Sequence, residues 1–228
     1  MERVNSEAPA IRPYDFTEPK VRFQTPPGVF ENIRDILLDS NSPSKSSDLF
    51  WYRSGLSSNS PLIGAMKDVT ETALECLHAS GHVNVVRIHY TFDANPVRPK
   101  VVQRIGEWHR DGSEFADDEE PEKILDVIVA SDNQPTVTAV APTPLRIADH
   151  SMLHEYINLN SDRDFQQTAK ASLLISRGIT AGLLKAHQPD SGQAVSIMNN
   201  FHRSPKNESN ERIQRVFWRI IAVGTTLQ

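Results

Sequence analysis

Apolar residues recur at every third or fourth position in two stretches near the amino terminus, and at alternate positions or in short unbroken runs thereafter. From Pro27 to Ser40, Val29, Phe30, Ile33, Ile36 and Leu37 have the spacing of a short amphipathic helix. Between Pro61 and Ser80 the set Leu62, Met66, Val69, Ala73 and Leu77 predicts a stronger one, with Pro61 suited to its first turn and Gly81 to its end. Ahead of both, Pro9, Pro13, Pro19, Pro26 and Pro27 oppose helix, so the first 27 residues read as an arm laid over the body. The polar stretch SNSPSKSSD reads as a loop.

After Gly81 the texture changes. VNVVRIHYTF, VVQRIGEW, ILDVIVAS, TVTAVA, ITAGLLKA, QAVSIMNNF and RVFWRIIAV are strand-like runs separated by turn residues. They predict an antiparallel sandwich or barrel. Turn signals are clearest at SDNQP and at PDSG, where Pro189 and Gly192 suit a hairpin. His150 to Arg177 breaks the pattern: around DFQQTAKASLLIS it is helical and reads as an insertion between strands. The acidic run DDEEPE reads as a solvated loop.

With 228 residues, one domain is expected: an arm and supporting helices over residues 1–82, and a β core over 83–228 with the helical insertion near 150–177. A formal charge of −5 and no run of Lys or Arg disfavour nucleic acid as a partner. No apolar run spans a bilayer and the first residues lack a signal-peptide core, so a cytoplasmic protein is expected. Cys76 is the only cysteine, which excludes an intrachain disulfide and a thiolate cluster.

Candidate chemistry begins at GEWHRDGSEF. In extended backbone, residues i and i+2 point to the same side, so His109 and Asp111 can offer an imidazole and a carboxylate to one ion. His202, in MNNFHRSP at the end of a strand-like run, is the best-placed third ligand. Two imidazoles and one carboxylate with neighbouring positions open form the facial set that binds iron(II). Among the other histidines, His78 and His82 suit a helix carboxyl end, His89 a strand, and His150, His154 and His187 loops or surface. Trp108 and Phe201 adjoin the proposed ligands, as core residues or pocket walls.

WHRDG, followed by PDSGQAVSIMNNFHRSP and RVFWRI, resembles the iron(II)/2-oxoglutarate-dependent dioxygenase superfamily over roughly residues 83 to 223. The resemblance implies a double-stranded β-helix, a jelly-roll or cupin-like barrel with flanking helices. It also implies that His109, Asp111 and His202 are the metal ligands and the catalytic set. An Arg downstream of the distal His would bind the far carboxylate of 2-oxoglutarate, a role for which a guanidinium fork is suited. Alternation in RVFWRII puts Arg215, Phe217 and Arg219 on one face and Val216, Trp218 and Ile220 on the other. The order of candidates is Arg215, then Arg219, then Arg212; pairing of these arginines with the acidic loop is the structural alternative.

The implied cofactors are Fe(II), 2-oxoglutarate as co-substrate and O2, with succinate and CO2 released. The carboxylate of Asp111 stands where related halogenases lack one, which points to hydroxylation, desaturation or cyclisation. The expected substrate is a small molecule, such as an amino acid or biosynthetic intermediate, under a mouth covered by residues 112–123, 141–165 and the first 60. Two rivals stand beside this reading: a cupin-like iron or zinc enzyme that needs no 2-oxoglutarate, and a non-catalytic β-sandwich binding protein with His109 and His202 far apart.

Overall fold

Most strand and helix segments follow the hydrophobic patterning, while their assignment to sheets comes from the pairing. The computed structural model describes residues 16–39, 49–52, 61–81, 84–109, 123–142, 165–198 and 200–224. In chain order these form β1 (Val21–Gln24), α1 (Val29–Leu38), β2 (Leu49–Tyr52), α2 (Pro61–Ala65), α3 (Lys67–Ala79), β3 (Val85–Asp93), β4 (Lys123–Ser131) and β5 (Val137–Val140). They continue with α4 (Phe165–Thr180), β6 (Lys185–His187), β7 (Gln193–Ser196), β8 (His202–Arg203) and β9 (Phe217–Gly224). The protein is mainly β, with a few helices.

Two antiparallel sheets result. The larger has six strands in the order β1-β7-β4-β9-β3-β2, and the smaller has three in the order β6-β5-β8. An isolated antiparallel bridge between His109 and His202 adds one more residue beside β8. From β3 onward the chain therefore alternates: β3 large, His109 small, β4 large, β5 and β6 small, β7 large, β8 small, β9 large. The turn signals at SDNQP and PDSG are real, but neither closes a hairpin. Each carries the chain from one sheet to the other, β4 to β5 and β6 to β7. Gly192 adopts φ 80°, a left-handed conformation that favours glycine at this crossing.

Strict alternation along β9 divides the apolar core. Val216, Trp218, Ile220 and Ala222 join Ile88, Tyr90, Phe92 and Ile128 in one cluster, covered by Ile33, Leu62, Met66, Val69, Ala73 and Leu77 from the helices. Phe217, Ile221 and Val223 face the other way, with Val127, Val129, Val195 and Ile197. A third cluster joins α4, through Ile175, to Trp108, Val137, Ala139, Leu184 and Phe201. Burying each large side chain stabilises the fold by about 1.5–3 kcal/mol.

Several details depart from the patterning. The helix expected over Pro61–Ser80 is interrupted at Met66, whose N–H reaches both Leu62 and Ile63 carbonyls, yet its apolar stripe stays on one side. Strands β1 and β2 were not expected, and β1 turns part of the arm into a sheet edge. The rest of the described arm is laid over both sheets: the Phe16 carbonyl accepts from Ala141 N–H, and the Lys20 carbonyl from Ser196 N–H. Lys185 hydrogen-bonds Glu18 at 3.1 Å and, helped by His187, holds its carboxyl below the usual range. In ITAGLLKA the helix runs on to Thr180, and only Lys185–His187 are strand. VVQRIGEW contributes a bridge at Val102, and His109 directly after it another, rather than a strand. Among the described residues no helix is long and apolar enough to cross a membrane.

A buried polar contact ties the helical layer to β3 of the sheet. The Tyr90 hydroxyl lies 2.8 Å from Thr70 Oγ1, which also donates to the Met66 carbonyl. Burial pushes the Tyr90 phenol up to about 12. Because its folded value exceeds the unfolded one, Tyr90 contributes stability that is fully present below pH 10 and lost as pH rises through 12. Arg215, whose burial pulls its own value down to about 10, acts in the opposite sense over this range. The prediction is therefore differential. Tyr90→Phe is expected to lose about 1 kcal/mol at neutral pH. Its deficit should shrink between pH 10 and 12 in urea unfolding, whereas a constant gap would contradict the assignment.

Candidate metal centre

Backbone pairing brings the two sequence-predicted histidines together. His109 N–H donates to the His202 carbonyl at 3.0 Å, and His202 N–H to the His109 carbonyl at 2.9 Å. Their rings consequently stand side by side with centroids 4.4 Å apart. Two imidazoles bound to one ion at right angles through bonds of about 2.1 Å have ring centres roughly 4.5 Å apart, so the spacing fits a shared ion. The arrangement the binding-protein rival needs, with these histidines far apart, is not the one the fold gives.

Hydrogen bonds also fix which ring nitrogen faces a ligand. His109 Nδ1 lies 2.9 Å from the Glu107 carbonyl and His202 Nδ1 lies 3.2 Å from the Asn200 carbonyl. A carbonyl oxygen can only accept, so each Nδ1 carries the proton, and a ring in its neutral form offers its lone pair at Nε2. Donation of the other ring N–H to a carbonyl is the arrangement that orients metal-binding imidazoles. His202 is 4% exposed and lines the cavity beside it.

That cavity is small, about 40 Å³, open on one side, and lies between the sheets. His109, Thr136, His202 and Ser204 line it from the smaller sheet's side, and Val129, Phe217 and Arg219 from β4 and β9, with Arg104 and Ile197 completing much of the wall. Arg219 reaches it because β9 places it on the inward face, between Thr91 of β3 and Val129 of β4. Thr91 Oγ1 accepts from Arg219 Nη2 at 3.0 Å and from Nε at 3.3 Å, which orients the guanidinium.

Arg215 has a different environment. It is 1% exposed, donates from Nε to the Gln134 carbonyl at 2.8 Å and from Nη1 to Gln103, and stacks 5.1 Å from the Phe217 ring centre. Its Nη2 has no hydrogen-bond partner among the described residues. Around it, Val216 N–H donates to Asp132, whose carboxyl is pushed up by burial, and Gln188 to the Pro135 carbonyl. Arg215 thus clamps the turn between β4 and β5. Arg212 precedes β9 and is exposed.

Asp111 lies outside the described residues, as do His82, His150 and His154; within the described residues no group of three His, Cys, Asp or Glu side chains is gathered for a metal. Trp108 and Phe201 are core residues of the cluster under α4, and Arg203 stacks on Trp108 at 4.6 Å. Sequence reasoning missed Arg104, Thr136 and Ser204. For Thr136 a signal existed: Thr136 and Thr138 alternate with Val137 and Ala139, marking a polar face on a buried strand.

Removing the Arg215 clamp should register as stability. Arg215→Ala is expected to cost about 3 kcal/mol in urea unfolding, from the lost packing and the stranded Gln134 carbonyl. Arg215→Met should cost less, since it fills space without a buried charge. A stable Arg215→Ala protein would argue that the guanidinium serves a ligand instead. Comparison with known proteins finds no family model that matches this chain and no curated protein that matches it.

Proposed function

We propose that the chain is a mononuclear non-haem iron(II)- and 2-oxoglutarate-dependent oxygenase acting on a small molecule, with a double-stranded β-helix as its core. The observation that carries this reading is the His109–His202 pair, backbone-bridged, with both Nδ1 atoms committed to carbonyls, on a cavity that Arg219 shares. Passage of successive strands from sheet to sheet between β3 and β9 supports the core assignment, because a jelly roll is built that way.

His109 and His202 would hold the metal through Nε2, with Asp111 as the carboxylate. Bound iron(II), with 2-oxoglutarate and O2, would supply oxidation of a C–H bond coupled to release of succinate and CO2. Arg219 is assigned the far carboxylate of 2-oxoglutarate ahead of Arg215, reversing the order the sequence suggests, because Arg219 shares the cavity with both histidines. Thr91 turns its guanidinium, and a planar fork so oriented matches a carboxylate. Val129, Ile197 and Phe217 give the cavity an apolar wall that excludes water around the reacting groups. The hydroxyls of Thr136 and Ser204 offer hydrogen bonds that fix a bound molecule's orientation. Hydroxylation, desaturation and cyclisation all remain within this chemistry.

Anaerobic titration of 2-oxoglutarate into the iron(II)-loaded protein tests the reading. A weak visible charge-transfer band is expected, and Asp111→Ala should abolish it. Under air, succinate should form only with iron(II) present. Arg219→Ala should weaken 2-oxoglutarate binding on the order of tenfold to a hundredfold, with Arg219→Lys in between. Metal binding without a band or succinate would favour the cupin-like enzyme that needs no 2-oxoglutarate.

A further inference from the structure

The two histidines are locked by different means. His109 Nδ1 donates to the carbonyl of Glu107, two residues back in its own exposed segment. His202 Nδ1 also donates two residues back, to Asn200, but Asn200 is 5% exposed and is itself held from elsewhere. Its N–H donates to the Ile197 carbonyl at 3.0 Å, and its side-chain Nδ2 donates to the carbonyl of Thr17 at 3.0 Å. Thr17 belongs to the amino-terminal arm, 183 positions away.

A second contact runs the same way. Phe16 stacks on Phe201, the residue between Asn200 and His202, with ring centres 6.1 Å apart and planes 17° from parallel. The Phe16 carbonyl accepts from Ala141 at the end of β5, and the Phe201 carbonyl accepts from Ala139 on the same strand. The three residues 200–202 are thus fixed between β5 and the arm.

We infer that Asn200 is a positioning residue for His202, and that through Thr17 and Phe16 the amino-terminal arm is a working part of the metal centre. The inference rests on the metal-centre reading above. Without the Asn200 amide the 200–201 peptide loses its tie to the arm, and the carbonyl that holds His202 Nδ1 is less firmly directed. The ring then samples both tautomers and more than one direction. A ligand whose orienting hydrogen bond is lost binds metal roughly tenfold to a hundredfold more weakly.

Cobalt(II) is a suitable probe, followed by its visible absorption on titration into the full-length protein, with circular dichroism and the metal-free melting midpoint read on the same samples. Asn200→Ala should weaken cobalt(II) binding about tenfold to a hundredfold at a temperature where the metal-free variant is fully folded. Asn200→Asp, which keeps the shape but turns a donor toward the Thr17 carbonyl into an acceptor, should be no better. Phe16→Ala tests the same coupling away from the loop and should weaken binding in the same direction. In metal-free protein, long-range proton–nitrogen spectra of the imidazoles should show His202 held in the Nδ1–H form in the wild type. In Asn200→Ala its tautomers should mix, with His109 unchanged.

Wild-type cobalt(II) affinity and an unmoved His202 tautomer in all three variants would overturn the inference while leaving the metal centre standing. Absence of cobalt(II) binding by the wild type would instead overturn the metal centre, and this inference with it. Should Asn200→Ala not fold, Phe16→Ala and Asn200→Asp carry the same two readouts.

Discussion

Strand β9 is hydrogen-bonded to β3 on one side and to β4 on the other along nearly its whole length, and most of the molecule follows from that constraint. A strand so held has only two directions for its side chains. Trp218, Ile220 and Ala222 take the face that the helices cover, which commits Phe217, Arg219, Ile221 and Val223 to the interior between the sheets. A cation among three apolar residues is costly there unless it has a task or a partner. Arg219 has Thr91 beside it and the cavity in front of it, and this pairing makes the inner face of β9 one wall of the site.

The opposite wall depends on the smaller sheet, where the decisive strand is short. Strand β8 contains only His202 and Arg203, and it is held by β5 along one edge and by His109 along the other. Two properties of the site then have one origin. The bridge sets the ring separation, and the main-chain carbonyls two residues upstream set the tautomers. Neither depends on what the cavity contains.

Much of this was legible in the sequence. RVFWRII reads as one unbroken strand, so period-two geometry assigned its two faces in advance, and the helix stripe from Leu62 to Leu77 survives even the interruption at Met66. His109 was found through its i, i+2 spacing from Asp111 after a strand-like run, and His202 through its place between PDSG and the Arg-rich run. Less was legible wherever the outcome depends on which partner a segment meets. Pro189 and Gly192 encode a reversal, but nothing local says whether the next strand joins the same sheet, and here it joins the other one. VRFQ and LFWY are four residues each, too short for a period to register. Arg215 and Arg219 share a face, so alternation cannot rank them. What separates them is the crossing turn at Gln134, which covers the beginning of β9 and engages Arg215 before it can reach the cavity.

A site assembled from backbone pairing has an energetic consequence. Groups that must be ordered when a ligand arrives lose conformational freedom at that moment, about 0.5–1.5 kcal/mol for each immobilised side chain. His109 and His202 have already lost it on folding, through bonds whose main-chain partners are present whether or not an ion is bound. The entropy of fixing the two rings is thus charged against folding stability, where the large buried core of β9 and the helices can offset it. The arm fits the same logic. A two-residue strand has too few contacts to hold a ring direction by itself, and residues 16 and 17 supply, from the far end of the chain, the packing and the hydrogen bond that β8 lacks.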